Sequence, residues 1–245
     1  MDDTANIGRR RFHYTGERAF YGGMGLAILA LVVAGFGPGM ARTLSGSGRP
    51  PGLTLLIHLH GAVFLAWVLL FIAQGALISA RAHDTHRRLG RLSLALAVAM
   101  LVLGIWVSIG QVHRGTQPPG IDPLSWLLVP LGDMVAFAAL VGAGFAWRTR
   151  PQVHKRLMLG ATLVMLQPAV GRLPLFAPDF LAGEGNVILA WALSLPLLAW
   201  DIVQRGRPHA ASLVVIGILG AEQLLRWLVW ETETWRSLAR AIAGA

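Results

Sequence analysis

Apolar stretches of about 20 residues recur along the whole chain, and each is long enough to cross the hydrocarbon core of a bilayer. Of the 245 residues, 55% are apolar and 13% are charged. An ordinary soluble domain carries about twice that proportion of charge. No region of soluble-domain size remains between the apolar stretches. The sequence therefore predicts an all-α fold, a polytopic transmembrane helical bundle.

Seven of these stretches are predicted to span the membrane. They are Phe20–Met40, Leu53–Ser79, Leu92–Val112, Pro123–Trp147, Leu157–Leu175, Asn186–Gln204 and Ala210–Trp230. The chain then divides into a basic N-terminal segment (1–19), a transmembrane domain (20–230) and a short interfacial helix or tail (231–245). The first stretch is too long for a typical signal-peptide core and lacks a good cleavage site after it, so we expect a retained span.

The positive charges alternate between the loops and indicate an orientation. Most of the 21 Lys and Arg residues fall in the N-terminal segment and in every second loop, and the other loops hold only scattered arginines. Basic loops stay in the cytoplasm, so the N-terminus is predicted inside and the C-terminus outside. The net charge of +9 is explained by these loops, and we expect the bilayer, not nucleic acid, to be the partner.

Two absences in the composition exclude whole classes of site. The chain has no cysteine, which excludes disulfides, iron–sulfur clusters and thiolate metal sites. Its only lysine, Lys155, lies in a predicted cytoplasmic loop. A retinal protein needs a lysine deep in its last span, so that class is excluded as well.

Polar residues from four predicted spans reach a similar depth in the outer half of the bundle. An ionisable group at that depth is costly and needs a partner or a function. His60, Asp133 and Glu222 are ligand types for a divalent first-row metal ion. The members of this polar layer, with the residues just beside or above them, are His58, His60, Gln111, His113, Asp133, Gln167, Arg172, Glu222 and Arg226.

A purely structural interpretation of the same layer stays open. Glu222 and Arg226 are four residues apart on a helix and can neutralise each other. Asp133 could pair with Arg172, and His60 could hydrogen-bond to Gln167. A transport or proton path is a third interpretation of these residues.

A second polar set lies at the inner face and contains Gln74, His86, His154 and Asp201. His86 and His154 enter the third and fifth spans from the same side, so they lie at equal depth. Axial haem ligands must meet that condition. The alternative is that both histidines belong only to the positive loops.

The stretch from His58 or His60 through Gln74 to His86-Arg87-Arg88-Leu89-Gly90 resembles a group of uncharacterised bacterial multi-pass membrane proteins. The later motifs His154-Lys155-Arg156-Leu157-Met158 and Gly171-Arg172-Leu173-Pro174 also resemble that group. The resemblance covers the second to fifth spans and implies the bacterial cytoplasmic (inner) membrane, without an activity. The histidines on neighbouring spans give a fainter similarity to cytochrome b561-like haem proteins, whose outer histidine pair is incomplete here because the fourth span carries Asp133.

The leading hypothesis is a membrane protein that binds haem b or a divalent metal ion and serves a redox process as a subunit of a larger complex. The ligands would be His86 with His154, or His60 with Asp133 and Glu222. The rival hypotheses are an accessory subunit without catalysis, a zinc-dependent intramembrane lipid hydrolase and a proton-coupled transporter. The sequence identifies no catalytic residue.

Overall fold

The computed structural model of the chain describes residues 3–45, 55–118, 120–173 and 184–245, and this part of the chain is helical without strands. The helices are α1 (Asp3–Leu44), α2 (Leu55–Ser79), α3 (His83–Arg114), α4 (Pro123–Trp126), α5 (Leu128–Ala146), α6 (Pro151–Val164), α7 (Gln167–Val170), α8 (Glu184–Ala192), α9 (Leu195–Arg205), α10 (Ala210–Val229) and α11 (Glu233–Ala243). The predicted ends of the second span at Leu53 and of the fifth span at Leu175 lie outside the described residues.

Five helical segments are long and apolar enough to cross a membrane. They are Gly16–Leu44, Leu55–Ser79, His83–Arg114, Pro123–Ala146 and Ala210–Val229. Large apolar side chains such as Val135, Val203 and Trp227 are more than two-thirds exposed. Such a surface is unfavourable in water, whereas lipid chains solvate it without cost. These features identify an integral membrane protein and agree with the predicted first, second, third, fourth and seventh spans.

The predicted fifth and sixth spans each consist of two consecutive shorter helices. Pro168 and Pro196 explain the breaks, because proline lacks an N–H and its ring clashes with the carbonyl four residues earlier. The helices α6 and α8 end at Val164 and Ala192, four residues before these prolines. Pro130 acts in the same way on the fourth span, where α4 ends at Trp126.

The core lies between α5 and α6, which pack as an antiparallel pair across a short turn at 147–150. Phe137 and Leu159 are fully buried there. Trp67 of α2 lies against this pair, with its ring 5.0 Å from that of Phe137 and its Nε1 donating to Thr162 Oγ1 at 3.2 Å. Around this centre, α2 packs with α1 and α3, and α10 packs with α5, α6 and α9.

One end of the bundle carries the turns that begin α3, α6 and α10, and we call it the basic end because Arg81, Arg148 and Arg205 lie there. The opposite end carries α4 and the C-terminal helix α11. Trp235 is buried on the inner face of α11 and donates from Nε1 to the Leu124 carbonyl at 2.9 Å. Leu238 is exposed on the other face. The C-terminal segment is thus an amphipathic helix docked on α4.

Candidate functional site

A cleft of about 2430 Å³ opens at the basic end of the bundle. Its walls come from α1, α2, α3 and α6 together with the end of α9. Apolar groups such as Leu70 and Phe71 line its deeper part, and the ends of the helices add basic groups at its rim. The predicted inner polar residues Gln74, His86 and His154 all line this cleft.

His86 and His154 lie in the first turns of α3 and α6, which both begin at the basic end. Pro151 fits the start of α6 because a first-turn residue needs no N–H for the helix. The two imidazole rings are neighbours in the cleft lining, with centroids 6.5 Å apart and planes edge-to-face at 88°. The sequence predicted that the two histidines lie at equal depth. The structure also places their rings close to each other.

Each of these rings has one nitrogen without a protein partner. His154 Nδ1 lies 2.8 Å from the Gly144 carbonyl. A carbonyl only accepts, so Nδ1 carries the proton and Nε2 keeps its lone pair. His86 Nδ1 is buried and has no hydrogen-bond partner among the described residues. The His154 ring thus keeps one lone pair on Nε2, and the His86 ring has a buried nitrogen that no described residue satisfies.

The rim of the cleft is strongly positive. Arg88, Arg91 and Arg148 line it. Lys155 is partly neutralised, since its Nζ lies 2.7 Å from Glu17 Oε1 and 5.1 Å from the centre of the Tyr21 ring. Burial lowers the pKa of Lys155, and the Glu17 carboxylate acts against that shift. Tyr21 Oη and Gln74 Oε1 are buried in the cleft wall and have no hydrogen-bond partner among the residues described. The cleft thus combines basic groups that suit an anion with unsatisfied hydrogen-bonding groups.

A buried ion pair closes the bundle beneath this rim. Arg156 of α6 and Asp201 of α9 are both almost fully buried, and the guanidinium donates to the carboxylate from Nε (3.1 Å to Oδ1) and Nη2. Asp201 Oδ2 also accepts from Ser212 Oγ at 2.5 Å and from the His209 N–H at 3.0 Å. Sequence reasoning treated Arg156 only as a loop charge. The lone carboxylate of the sixth span was the signal that a buried cation had to be its partner.

The outer polar layer is centred on Arg226 of α10. Its Nη2 donates to Asp133 Oδ1 at 2.7 Å and to Glu222 Oε1, and its Nη1 donates to Gln167 Oε1 at 2.7 Å. The interpretation that Glu222 and Arg226 neutralise each other is confirmed. Asp133 pairs with Arg226 and not with Arg172. Gln167 likewise bonds to Arg226 instead of His60.

The remaining members of the predicted layer lie apart from Arg226. His60 is half-buried, its ring lies 4.1 Å from that of Phe64, and its buried Nδ1 has no partner in the described ranges. Arg172 donates to the Pro168 carbonyl at 2.6 Å and lies over the ring of Phe36. His113 Nε2 bonds to the Ala243 carbonyl of α11 at 2.9 Å. Gln111 is half-buried and His58 is exposed.

The predicted polar layer and the His86–His154 pair differ in the kind of metal site for which their ligand number is sufficient. A zinc, iron or copper ion without a porphyrin usually takes at least three protein ligands. Within the described residues, no group of three or more His, Asp or Glu side chains could hold a metal ion. A haem iron takes four ligands from its porphyrin and needs only two axial protein ligands, and the cleft holds two neighbouring histidines, His86 and His154.

A scan against protein-family models found no matching family. Searches among curated proteins and among solved structures found no similar protein either.

Proposed function

We propose that this integral membrane protein binds a haem b between His86 and His154 and serves electron transfer within the membrane. The separation of the two rings is the observation that carries the proposal. Metal bonds of about 2.0–2.1 Å to imidazole nitrogens on opposite sides of one iron place the ring centroids roughly 6 Å apart. The observed separation is 6.5 Å.

The ring nitrogens support the same assignment. The Gly144 carbonyl fixes the orientation of the His154 ring through Nδ1. Metal-ligating histidines commonly donate their second nitrogen to a carbonyl in this way, which fixes the tautomer. The unpartnered Nδ1 of His86 supplies the second ligand. A buried polar atom without a partner is destabilising, and coordination would remove that penalty.

The surroundings of the pair also suit a haem. The apolar wall formed by Leu70 and Phe71 would cover the porphyrin faces and edges, and Arg88, Arg91 and Arg148 at the rim would bind its propionates. A bound haem would supply a one-electron couple, and burial among apolar side chains is one of the factors that set its potential.

The topology proposed with this function is seven spans with the basic end in the cytoplasm. In that arrangement, α6 with α7 and α8 with α9 are the fifth and sixth spans, each crossing as a broken helix. Such breaks are tolerated in membranes when neighbouring helices satisfy the freed backbone groups. The bacterial inner membrane and a role as a subunit of a larger redox complex belong to the same proposal, the membrane resting on the resemblance of the second to fifth spans.

The test is haem binding by the protein purified in mild detergent and supplied with haemin. We expect a Soret band of a six-coordinate haem that shifts on reduction, at about one haem per chain. His86→Ala and His154→Ala should each remove one axial ligand and convert the spectrum to that of a five-coordinate haem, or lose the haem. The matched control is His113→Ala at the opposite end of the bundle, which should keep the wild-type spectrum. A folded protein that stays colourless, or a spectrum indifferent to both substitutions, would refute the proposal.

A further inference from the structure

A second buried site lies in the outer half of the bundle, away from the cleft, and it contains more acid than base. Asp133 of α5 and Glu222 of α10 both contact the Nη2 of Arg226. The three side chains are between 6% and 8% exposed. We call Asp133, Glu222, Arg226 and Gln167 the Arg226 cluster.

The charges of this cluster do not balance when every group is ionised. Two carboxylates carry two negative charges, and the single guanidinium carries one positive charge. Among the described side chains, the other polar groups against the cluster are neutral, namely Gln167, Gln223 and Trp191. An uncompensated charge in a low-dielectric interior is strongly unfavourable. One proton shared by the two carboxyl groups brings the cluster to neutrality.

An independent observation points to a small ligand at the same place. A cavity of about 10 Å³, the space that one water molecule needs, is lined by Asp133, Gln167 and Glu222. Gln167 is 3% exposed, and its Oε1 is already engaged by Arg226. Its Nε2 has no hydrogen-bond partner within the part of the chain that the structure describes. A buried amide N–H requires an acceptor, and a water in the cavity would accept from Nε2 and donate to a carboxylate.

The close approach of α5 and α10 at this point depends on a residue without a side chain. A Cβ on Gly132 would lie 3.1 Å from Glu222 Oε1, so glycine allows the two carboxyl-bearing helices to meet. The break before Gln167 in turn places that side chain at the junction of α6 and α7. These two features of the sequence thus bring their side chains together at the Arg226 cluster.

We propose that the Arg226 cluster is a proton-binding site, in which Asp133 and Glu222 share one exchangeable proton beside a water held by Gln167 Nε2. The site binds a proton and not a metal ion, because the guanidinium occupies the centre of the carboxylate pair. It gives the membrane protein a group that can take up or release a proton in the outer half of the bundle. The inference does not depend on haem binding.

Infrared difference spectroscopy of the membrane-reconstituted protein in H₂O and D₂O tests this site. Near neutral pH we expect a carboxylic-acid C=O band that shifts in D₂O. Asp133→Asn and Glu222→Gln should each abolish it, because the remaining carboxylate then balances Arg226 and ionises. The matched control is Glu233→Gln, an exposed carboxyl of α11, which should retain the band. A wild-type spectrum without such a band would show two ionised carboxylates and would overturn the proposal.

Isotope labelling removes the dependence on substituted proteins that fail to fold. In the wild-type chain, ¹³C-carboxyl labelling of aspartate or of glutamate should shift this band with at least one of the two labels. A band that neither label shifts would not come from a carboxyl side chain, and that result would also overturn the assignment.

Discussion

Individual buried charges hold this bundle together at its two ends. Arg156 meets Asp201 near the basic end, and Arg226 meets Asp133 and Glu222 in the half of the bundle away from it. Each guanidinium uses several of its N–H groups, and the planar fork suits such multiple bonding better than a lysine would. These residues therefore determine which helix faces meet. If one member of such a pair is removed, the other remains buried as an unpaired charge.

Loss of one member of the basic-end pair should be strongly destabilising. Arg156→Met leaves Asp201 buried without its cation, and breaking a buried pair in this way costs about 3–5 kcal/mol. We expect a clear fall in the thermal unfolding temperature of the protein in detergent, read from circular dichroism.

The exposed pair of Arg87 and Asp84 provides the control for that measurement. Their side chains are 73% and 83% exposed, and such surface pairs contribute about 0–1 kcal/mol. Arg87→Met should therefore leave the unfolding temperature nearly unchanged. The double variant Arg156→Met with Asp201→Leu should recover part of the loss, because no buried charge is left unpaired, while Ser212 Oγ and the His209 N–H lose their acceptor. If Arg156→Met behaves like the exposed control, the pair does not stabilise the fold.

Among the helices, α1 is held by a contact that only glycine allows. A Cβ on Gly35 would lie 2.3 Å from the Ala169 carbonyl oxygen of α7. Small residues of this kind let membrane helices approach closely. The short helix α7 thus forms a surface against which α1 packs.

Replacing Gly35 with alanine has two opposing effects on stability, a gain in helix propensity and a steric clash. Alanine is favoured over glycine inside a helix by about 1 kcal/mol, yet the backbone clash at Gly35 cannot be relieved by a side-chain rotation. We expect Gly35→Ala to lower the unfolding temperature. Gly39→Ala lies one turn further along the same helix, where an added Cβ meets nothing within 4 Å, and it should be neutral or stabilising. Equal behaviour of the two variants would argue against close packing of α1 on α7.

The helices were largely predictable from the sequence, and their breaks and contacts were less so. Long apolar runs predict α2 and α10 closely, because a spanning helix must be apolar along its length. The helix α3 begins at His83, nine residues before the predicted start at Leu92, because its first turns are polar and basic. The helices α6 and α8 end at Val164 and Ala192, four residues before Pro168 and Pro196. The apolar sequence pattern continues through both helix breaks, so it does not reveal them. The sequence alone therefore does not show whether proline kinks or divides a span.

The candidate sites were predictable only where local spacing decides the contact. The pairing of Glu222 with Arg226 follows from their separation of four residues. Asp133 and Gln167 come from other helices, and depth in the membrane does not determine helix order, so their bonds to Arg226 were not foreseen. The meeting of His86 and His154 depends on α2 and α5 holding α3 and α6 beside one cleft, which also lies beyond sequence spacing.

For the whole molecule, the proposed topology can be measured directly because the chain has no native cysteine. Single cysteines at three exposed sites report the two sides: Thr149 at the basic end, Thr116 at the opposite end and Ala245 at the C-terminus. In intact bacterial cells, a membrane-impermeant maleimide should label Thr116→Cys and Ala245→Cys. It should label Thr149→Cys only after permeabilisation.

The comparison of Thr116 with Ala245 is the sensitive part of that test. Four proposed spans separate them, two of which are the broken ones, so both residues should lie on one side. Labelling on opposite sides would mean that one broken segment does not cross. Labelling of Thr149→Cys alone in intact cells would invert the orientation.

The pairing of α6 with α9 across two broken spans has a consequence for synthesis of the protein. In the proposed topology the fifth span carries Arg156 and the sixth carries Asp201, and each would insert poorly by itself because charged residues oppose partitioning into lipid. Joined as a hairpin, the two segments cancel these charges. We therefore expect the proposed fifth span to remain in the translocon until the sixth has emerged from the ribosome. The two segments would then enter the bilayer together.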